Sequence, residues 1–220
     1  MALALGLTLA GCMAAAAPKS LTASEHNDLG VAYFERGETQ RAVREFERAL
    51  ALSPGWARAL VNLGDARLAL GEGDRAIDAY QHAVRADPAD TAAANNLAWA
   101  LLQDPVRWPE AEAIIDSALA RHPEPRGYYL DTLGALRLRK GDNRGALEAF
   151  RAALADRAVS AGSARALVLE HAAEAHARLG DPHAAARCRA LAAQERGEAG
   201  SGAASNAGGR APVGARVGVC

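Results

Sequence analysis

The sequence is poor in aromatic residues and cysteine, and it carries almost no net charge. Aromatic side chains make up 5% of the 220 residues, although half of all residues are hydrophobic and alanine dominates. This composition favours tight helix packing over a large ligand pocket. A formal net charge of −1 argues against a nucleic-acid-binding protein, because such a protein needs a concentrated basic face. Three cysteines are too few for a disulfide framework.

The chain also lacks a recognisable catalytic or cofactor-binding motif. Gly71-Glu72-Gly73-Asp74 is predicted to be a turn between helices, not a phosphate-binding loop. His171 and His176 are five residues apart, which differs from the i, i+4 spacing of a metal site on one helix. The sequence therefore predicts a protein that is not an enzyme and that binds no metal or cofactor.

What the chain does contain is a repeat. Residues of the same type recur at intervals of 34 positions: Gly30 and Gly64, Phe46 and Tyr80, Pro54 and Pro88, Ala42 and Ala76, Ala49 and Ala83. A fixed period of this size predicts a stack of helical hairpins. Such a stack is a one-dimensional array whose typical product is an extended surface for partners.

Each hairpin can be traced in the residues of the first unit. Gly37 is expected to end the first helix, since glycine tolerates the left-handed conformation found at helix C-termini. Ala42, Phe46 and Ala49 share one face of the second helix, where small residues allow close approach and the aromatic ring fills the remaining space. Pro54 is expected to stop that helix.

The pattern Leu29-Gly30-x-x-Tyr33, followed by Ala42-x-x-x-Phe46-x-x-Ala49 and Pro54, resembles the tetratricopeptide repeat. The resemblance implies an all-α, right-handed superhelical solenoid of about five hairpins. The predicted units are 23–56, 57–90, 91–125, 127–158 and 163–195, together forming an array over 23–195.

Three features depart from the family pattern. His26 and Arg67 stand where the family usually has tryptophan and tyrosine. The third unit has one extra residue, in the proline-bounded segment 104–109. The fifth unit has no aromatic residue at the usual place, near which Cys188 lies.

The tail 196–220 is rich in glycine, alanine, serine and arginine, and it is predicted to be disordered.

The resemblance also implies which residues face the concave groove, because first helices line it in this family. The candidate peptide-binding residues are Asn27, Asn62, Asp65, Asn95, Asn96, Trp99, Tyr128 and Asp131, with Arg58, Gln103, Thr132 and Arg139 at further groove positions. Asparagine amides both donate and accept, so a line of them is suited to holding an extended peptide backbone. The alternative is that these residues form only the solvated side of amphipathic helices.

Two features narrow the kind of partner. Trp99 and Tyr128 are the expected aromatic anchors. The family's clamp for chaperone C-terminal carboxylates needs basic residues around such asparagines, and Val31 and Ala92 occupy the relevant positions. A chaperone-tail adaptor is therefore disfavoured.

The N-terminus indicates export. Residues 1–11 form a short apolar stretch typical of a signal peptide, although no positively charged residue precedes Cys12. Leu9-Ala10-Gly11-Cys12 resembles the lipobox of bacterial lipoproteins, which makes Cys12 the expected lipidation site and 12–22 a short tether. Met13, in place of aspartate, favours the outer over the inner membrane.

The remaining cysteines leave two alternatives. Cys188 is expected to be a small buried residue and Cys220 an exposed thiol. Pairing between them is the alternative in an oxidising periplasm, because the tail is long enough to fold back.

Together these features predict a lipid-anchored scaffold on the periplasmic side of a bacterial envelope that binds a peptide segment or helix of another protein. Two alternatives stay open: a soluble cytosolic adaptor, and an accessory subunit of an envelope peptidase or glycan machinery.

Overall fold

A computed structural model describes residues 20–121, 126–201 and 220. Several sequence predictions lie outside these residues: the signal peptide 1–11, the lipidation site Cys12, most of the tether, and tail residues 202–219.

The described chain forms ten α-helices in five antiparallel hairpins and has no strand, so the predicted all-α solenoid is confirmed. The helices are α1 (Ala23–Glu35), α2 (Thr39–Leu52), α3 (Ala57–Ala69), α4 (Gly73–Ala86), α5 (Thr91–Leu101), α6 (Trp108–Arg121), α7 (Gly127–Arg139), α8 (Asn143–Ala155), α9 (Gly162–Arg178) and α10 (Pro182–Ser201). Within each hairpin the odd-numbered helix is the first helix and packs against its even-numbered partner.

Glycine ends the first helix in four of the five hairpins. Gly37, Gly71, Gly141 and Gly180 have φ values of 77°, 77°, 84° and 78°, a left-handed conformation that costs other residues free energy. The third hairpin turns differently. The Asp104 carboxylate accepts a hydrogen bond from the Val106 amide (2.9 Å) and starts a 3₁₀ turn over Pro105–Arg107, which absorbs the extra residue of this unit.

A second set of glycines lets the paired helices approach closely. A Cβ atom on Gly30, Gly64 or Gly134 would lie 2.5, 2.4 or 2.3 Å from the ring of Phe46, Tyr80 or Phe150. Only a residue without a side chain fits beneath these rings. The repeated glycine and the repeated aromatic are therefore two sides of one contact.

The core continues from hairpin to hairpin. One apolar cluster runs from Ile77 and Tyr80 in the second unit, through Leu97 and Ile115 in the third, to Leu136 in the fourth. Each hairpin thus buries its apolar face against a neighbour, as expected of a repeat array.

The C-terminal end corrects two predictions. Cys188 is buried as expected, but Cys220 is not a free thiol, because the two residues form a disulfide bond. The Arg187 guanidinium also donates a hydrogen bond to the Cys220 carbonyl (2.6 Å). Helix α10 continues through Ser201, so residues 196–201 are helical and do not begin a structureless tail.

Candidate functional site

The first helices stand side by side, and polar side chains join each one to the next. We call this set the polar ladder. Its four rungs are Asn27–Asn62 between α1 and α3, Asp65–Asn96 between α3 and α5, Asn95–Thr132 between α5 and α7, and Asp131–His171 between α7 and α9. Six of the eight predicted groove residues belong to it.

The first rung joins two asparagines. The Asn62 amide donates a hydrogen bond to Asn27 Oδ1 at 2.8 Å. Asn27 is buried, with 3% of its surface exposed, so its carbonyl needs a partner inside the protein. Asn62 thus supports the adjacent repeat, and this bond uses one N–H of its side-chain amide.

The second rung centres on a carboxylate. Asp65 Oδ1 accepts from the Tyr80 hydroxyl at 2.6 Å and from the Asn96 amide at 3.1 Å. Burial raises the pKa of Asp65, and the two hydrogen bonds oppose that shift. Burial also raises the pKa of Tyr80, and the neighbouring Asp65 adds to the effect. Tyr80 therefore remains the donor, and Asp65 holds α3, α4 and α5 together.

The third rung connects the amide of Asn95 with the hydroxyl of Thr132. The Thr132 Oγ1 atom lies 2.8 Å from Asn95 Oδ1 and 3.0 Å from the carbonyl oxygen of Tyr128 one turn earlier in α7. Thr132 is buried, so the rung fixes α7 against α5 away from solvent.

The fourth rung pairs a carboxylate with a histidine ring. His171 Nδ1 lies 2.8 Å from Asp131 Oδ1, and the His171 ring lies 5.7 Å from the rings of both Trp99 and Phe150. Burial lowers the pKa of His171, but the hydrogen bond and the charge of Asp131 outweigh it, so the net pKa is raised. The sequence pattern does not reveal this role of His171, because its partner Asp131 lies forty residues earlier in the chain.

Two pockets lie beside the ladder. The first, which we call the tyrosine pocket, has a volume of about 310 Å³ between α5 and α7 and is lined by Thr91, Ala92, Asn95, Asn96, Tyr128 and Tyr129. Tyr128 is 48% exposed at its mouth. The Tyr129 hydroxyl donates to the Thr91 carbonyl oxygen at 3.0 Å, which holds that ring as a wall of the pocket.

The second pocket, the arginine pocket, lies further along the same helices and extends to α9. Its volume is about 240 Å³, and its lining includes Trp99, Arg139, His171, Glu174 and Arg178. The Arg139 guanidinium carbon lies 5.4 Å from the centre of the Trp99 ring, a cation–π contact. Burial lowers the pKa of Arg139, the charge of Glu174 opposes this, and nearby Arg178 adds to it.

The predicted anchors differ in accessibility. Tyr128 is open to solvent, whereas Trp99 is partly covered by His171 and Arg139. Arg58 is exposed on α3, and Gln103 donates to the Trp99 carbonyl oxygen at 3.3 Å. The peptide-binding role of the groove residues stays a prediction, but many of their polar groups already bind one another.

Among the described residues, no group of three or more histidine, cysteine, aspartate or glutamate side chains is placed to hold a metal ion. None of the helices in the described part has the length and apolar character needed to cross a membrane.

Comparison with known proteins identifies the repeat. A tetratricopeptide repeat family model matches residues 27–91 and, in a second register, 61–125. A search of the curated proteins found no match.

Solved structures extend the likeness to most of the chain. A thermophilic tetratricopeptide repeat protein from Thermus thermophilus is 21% identical over 79% of this chain and 91% of its own, with a TM-score of 0.69. PilW, a widely conserved type IV pilus biogenesis factor, is 19% identical over 78% of each chain, with a TM-score of 0.67. PilF from Pseudomonas aeruginosa is 23% identical over 79% of this chain and 76% of its own, with a TM-score of 0.64. At these identities the structures show a shared fold.

Proposed function

This chain is a tetratricopeptide repeat protein, a kind of protein that binds other proteins, and we propose that it is a non-catalytic scaffold anchored by lipid in the bacterial cell envelope. In this proposal the groove lined by the first helices binds a peptide segment or helix of an envelope partner.

The observation that carries the binding proposal is the tyrosine pocket. It opens beside Tyr128, whose ring is half exposed although the neighbouring Tyr129 and Thr132 are buried. An exposed aromatic side chain next to an open pocket is typical of a binding surface, because it offers apolar area with a polar edge.

The polar ladder supports the same proposal in another way. Its rungs hold α3, α5 and α7 in place before any partner arrives. A preorganised groove loses less conformational entropy on binding than a mobile one. A partner would therefore meet a surface whose shape the array itself has already set.

The lipid anchor rests on the sequence Leu9-Ala10-Gly11-Cys12 and on the apolar residues before it. Small residues suit the cleavage site of a signal peptidase, and the Cys12 thiol is the acyl acceptor. PilW, a pilus biogenesis factor, is a precedent for the use of this fold in the biogenesis of a pilus.

Metabolic labelling with a clickable palmitate analogue, combined with cell fractionation, tests the anchor. The wild-type chain should carry the label and sediment with membranes, while Cys12→Ser should be unlabelled and unprocessed. A full-length, unlabelled wild-type chain in the soluble fraction would contradict the anchor and favour a cytosolic adaptor.

Site-specific photo-crosslinking in native cells tests the groove. A photoreactive phenylalanine analogue at Tyr128 should give a discrete adduct with an envelope protein, identified by mass spectrometry. The same analogue at Arg151, exposed on α8 of the same unit, is the matched control. Adducts at Arg151 but not at Tyr128 would place the partner surface outside the groove. An adduct with a peptidase or glycan enzyme would instead identify an accessory subunit.

A further inference from the structure

We propose that the groove between the tyrosine pocket and the arginine pocket takes an extended peptide with an apolar or aromatic side chain at one end and an acidic side chain about five residues away. This inference rests on the proposed function, since it specifies the class of segment that the groove would hold.

The two pockets lie along the same side of α7. On α7, Tyr128, Ala135 and Arg139 follow one another at spacings of seven and four, which places them on the same side of the helix. Tyr128 and Arg139 are about 16 Å apart along the axis, from a rise of about 1.5 Å per residue. An extended peptide covers about 3.3 Å per residue, so about five residues connect the pockets.

The tyrosine pocket sets the apolar end of the peptide. Its lining includes Tyr128, Tyr129 and Ala92, together with Asn95 and Asn96. The Tyr129 hydroxyl is already bonded to Thr91, so this ring presents its apolar face and not its polar tip. An aromatic or branched aliphatic side chain suits such a site.

The arginine pocket sets the acidic end by charge complementarity. Arg178 is paired with Glu174 at 2.5 Å and also donates to the Leu138 carbonyl oxygen at 2.7 Å. His171 is paired with Asp131. Arg139 makes no ion pair or side-chain hydrogen bond with any described residue, and its guanidinium stays over Trp99. The Arg139 guanidinium, held over Trp99, thus has no hydrogen-bonded acid among the described residues, and a carboxylate can meet it with charge-assisted hydrogen bonds.

Beside the rings of the tyrosine pocket, the groove offers a group that selects no particular side chain. Asn95 is held by Thr132 through Oδ1, and its amide nitrogen donates to no acceptor among the described residues. A peptide carbonyl is the natural acceptor for such a group. Selectivity should therefore come from the two ends, and the middle of the peptide should vary freely.

A phage-displayed library of random twelve-residue peptides, selected on the full-length chain in detergent, tests this inference. Enriched peptides would be synthesised with a fluorophore, and their Kd values measured by fluorescence anisotropy. We expect an apolar or aromatic residue and an acidic residue about five positions apart. Changing that acid to its amide should weaken binding about tenfold or more, the effect of losing a charge-assisted hydrogen bond.

Variants of the protein complete the test. Arg139→Gln should bind the acidic peptide and its amide version equally weakly, whereas Arg151→Gln, which removes an exposed arginine from α8 outside the groove, should leave both Kd values unchanged. Tyr128→Ala should weaken both peptides by a similar factor. Circular dichroism would show that each variant keeps the wild-type helical content.

The outcomes separate the two proposals. If a selected peptide depends on Tyr128 but binds Arg139→Gln with the same Kd as the wild type, the inference of an acidic side chain is wrong and the groove proposal stands. If neither substitution changes the Kd of the selected peptides, this inference is wrong. If the library yields no binder and crosslinking from Tyr128 also fails, the proposed function falls with it.

Discussion

His171 in α9 lies 2.8 Å from Asp131 in α7, and this contact joins the fourth and fifth hairpins across forty residues of sequence. Each of the other three junctions between neighbouring first helices has its own polar contact. Because repeat arrays are stabilised mainly by contacts between neighbours, the rungs help to determine how each hairpin sits on the next. The shape of the groove thus depends on buried polar pairs as well as on apolar packing.

The first prediction concerns the pKa of His171. It should lie above the ordinary value of 6.5 in the wild type, because Asp131 outweighs the effect of burial. In Asp131→Asn the charge is lost and burial remains, so the pKa should fall below its wild-type value. An NMR titration of the His171 ring protons measures this, with exposed His183 as the internal control. An unchanged His171 pKa in the variant would show that the contact does not form.

The same pair predicts how stability depends on pH. Because the pKa of His171 is raised in the folded state, the pair makes its full contribution to the free energy of unfolding below about pH 6.5. That contribution is lost as pH rises through the folded-state pKa. The loss of unfolding free energy in Asp131→Asn should therefore be larger at about pH 5.5 than at about pH 8.5. Urea unfolding at both pH values measures it. An equal loss at both would contradict the linkage.

The next prediction concerns the contact between glycine and the aromatic ring. Gly64→Ala would place a Cβ atom 2.4 Å from the Tyr80 ring, which cannot easily move because its hydroxyl is bonded to Asp65. We expect a loss of about 1–3 kcal/mol in the free energy of unfolding, as for other overpacked cores. Gly73→Ala, in the same unit, is the control, because nothing lies within 4 Å of its Cβ position. It should be neutral or stabilise by up to about 1 kcal/mol. Equal effects of the two substitutions would contradict the steric argument.

That contact shows what the sequence makes predictable. Gly30 and Phe46 recur together as Gly64 and Tyr80, so a local period reveals a contact made within every hairpin that keeps the pair. The helices and their glycine turns follow from the same period, whereas the choice of groove residues came from the resemblance to the family. These features are encoded within one repeat.

Contacts between repeats were less accessible to sequence reasoning. The repeated asparagines Asn62 and Asn96 indicated a special position, but not that their amides are bonded to Asn27 and Asp65. Such pairing depends on how two hairpins are rotated against each other, which no short-range pattern specifies. The sequence left the pairing of Cys188 with Cys220 as one of two alternatives, because Cys220 lies in a tail whose lack of a hydrophobic period does not specify its position.

A double-mutant cycle tests the first rung. Asn62→Ala leaves the buried Asn27 carbonyl without its donor and should lower the free energy of unfolding by about 1–3 kcal/mol. Asn27→Ala should cost a similar amount, and the double variant less than the sum of the two. The expected coupling energy is about 0.5–3 kcal/mol. Arg58→Ala, exposed on the same helix as Asn62, should change stability by less than about 0.5 kcal/mol. Strict additivity would show that the two asparagines do not support each other.

The last prediction concerns the disulfide between Cys188 and Cys220. In a Cys12→Ser chain purified without reductant, neither remaining cysteine should react with a thiol reagent after unfolding, whereas both should react after reduction. The bond closes a loop of 32 residues in sequence separation. Its loss should therefore favour the unfolded state by about 4 kcal/mol on the chain-entropy account. Since repeat arrays open locally, the effect should be concentrated in the fifth unit.

Hydrogen exchange locates that effect. Reduction should speed amide exchange in α10, whose Cys188 and Ala192 are buried, and leave α3 and α4 unchanged as an internal control. Cys220→Ser should reproduce the result without a reductant and so separate loss of the bond from any other effect of the reagent. Two reactive thiols in the unreduced chain, or equal exchange in α10 before and after reduction, would mean that the C-terminus does not stabilise the last hairpin. If exchange accelerates as expected, the fifth unit depends on an oxidising environment, which a cytosolic location would not provide.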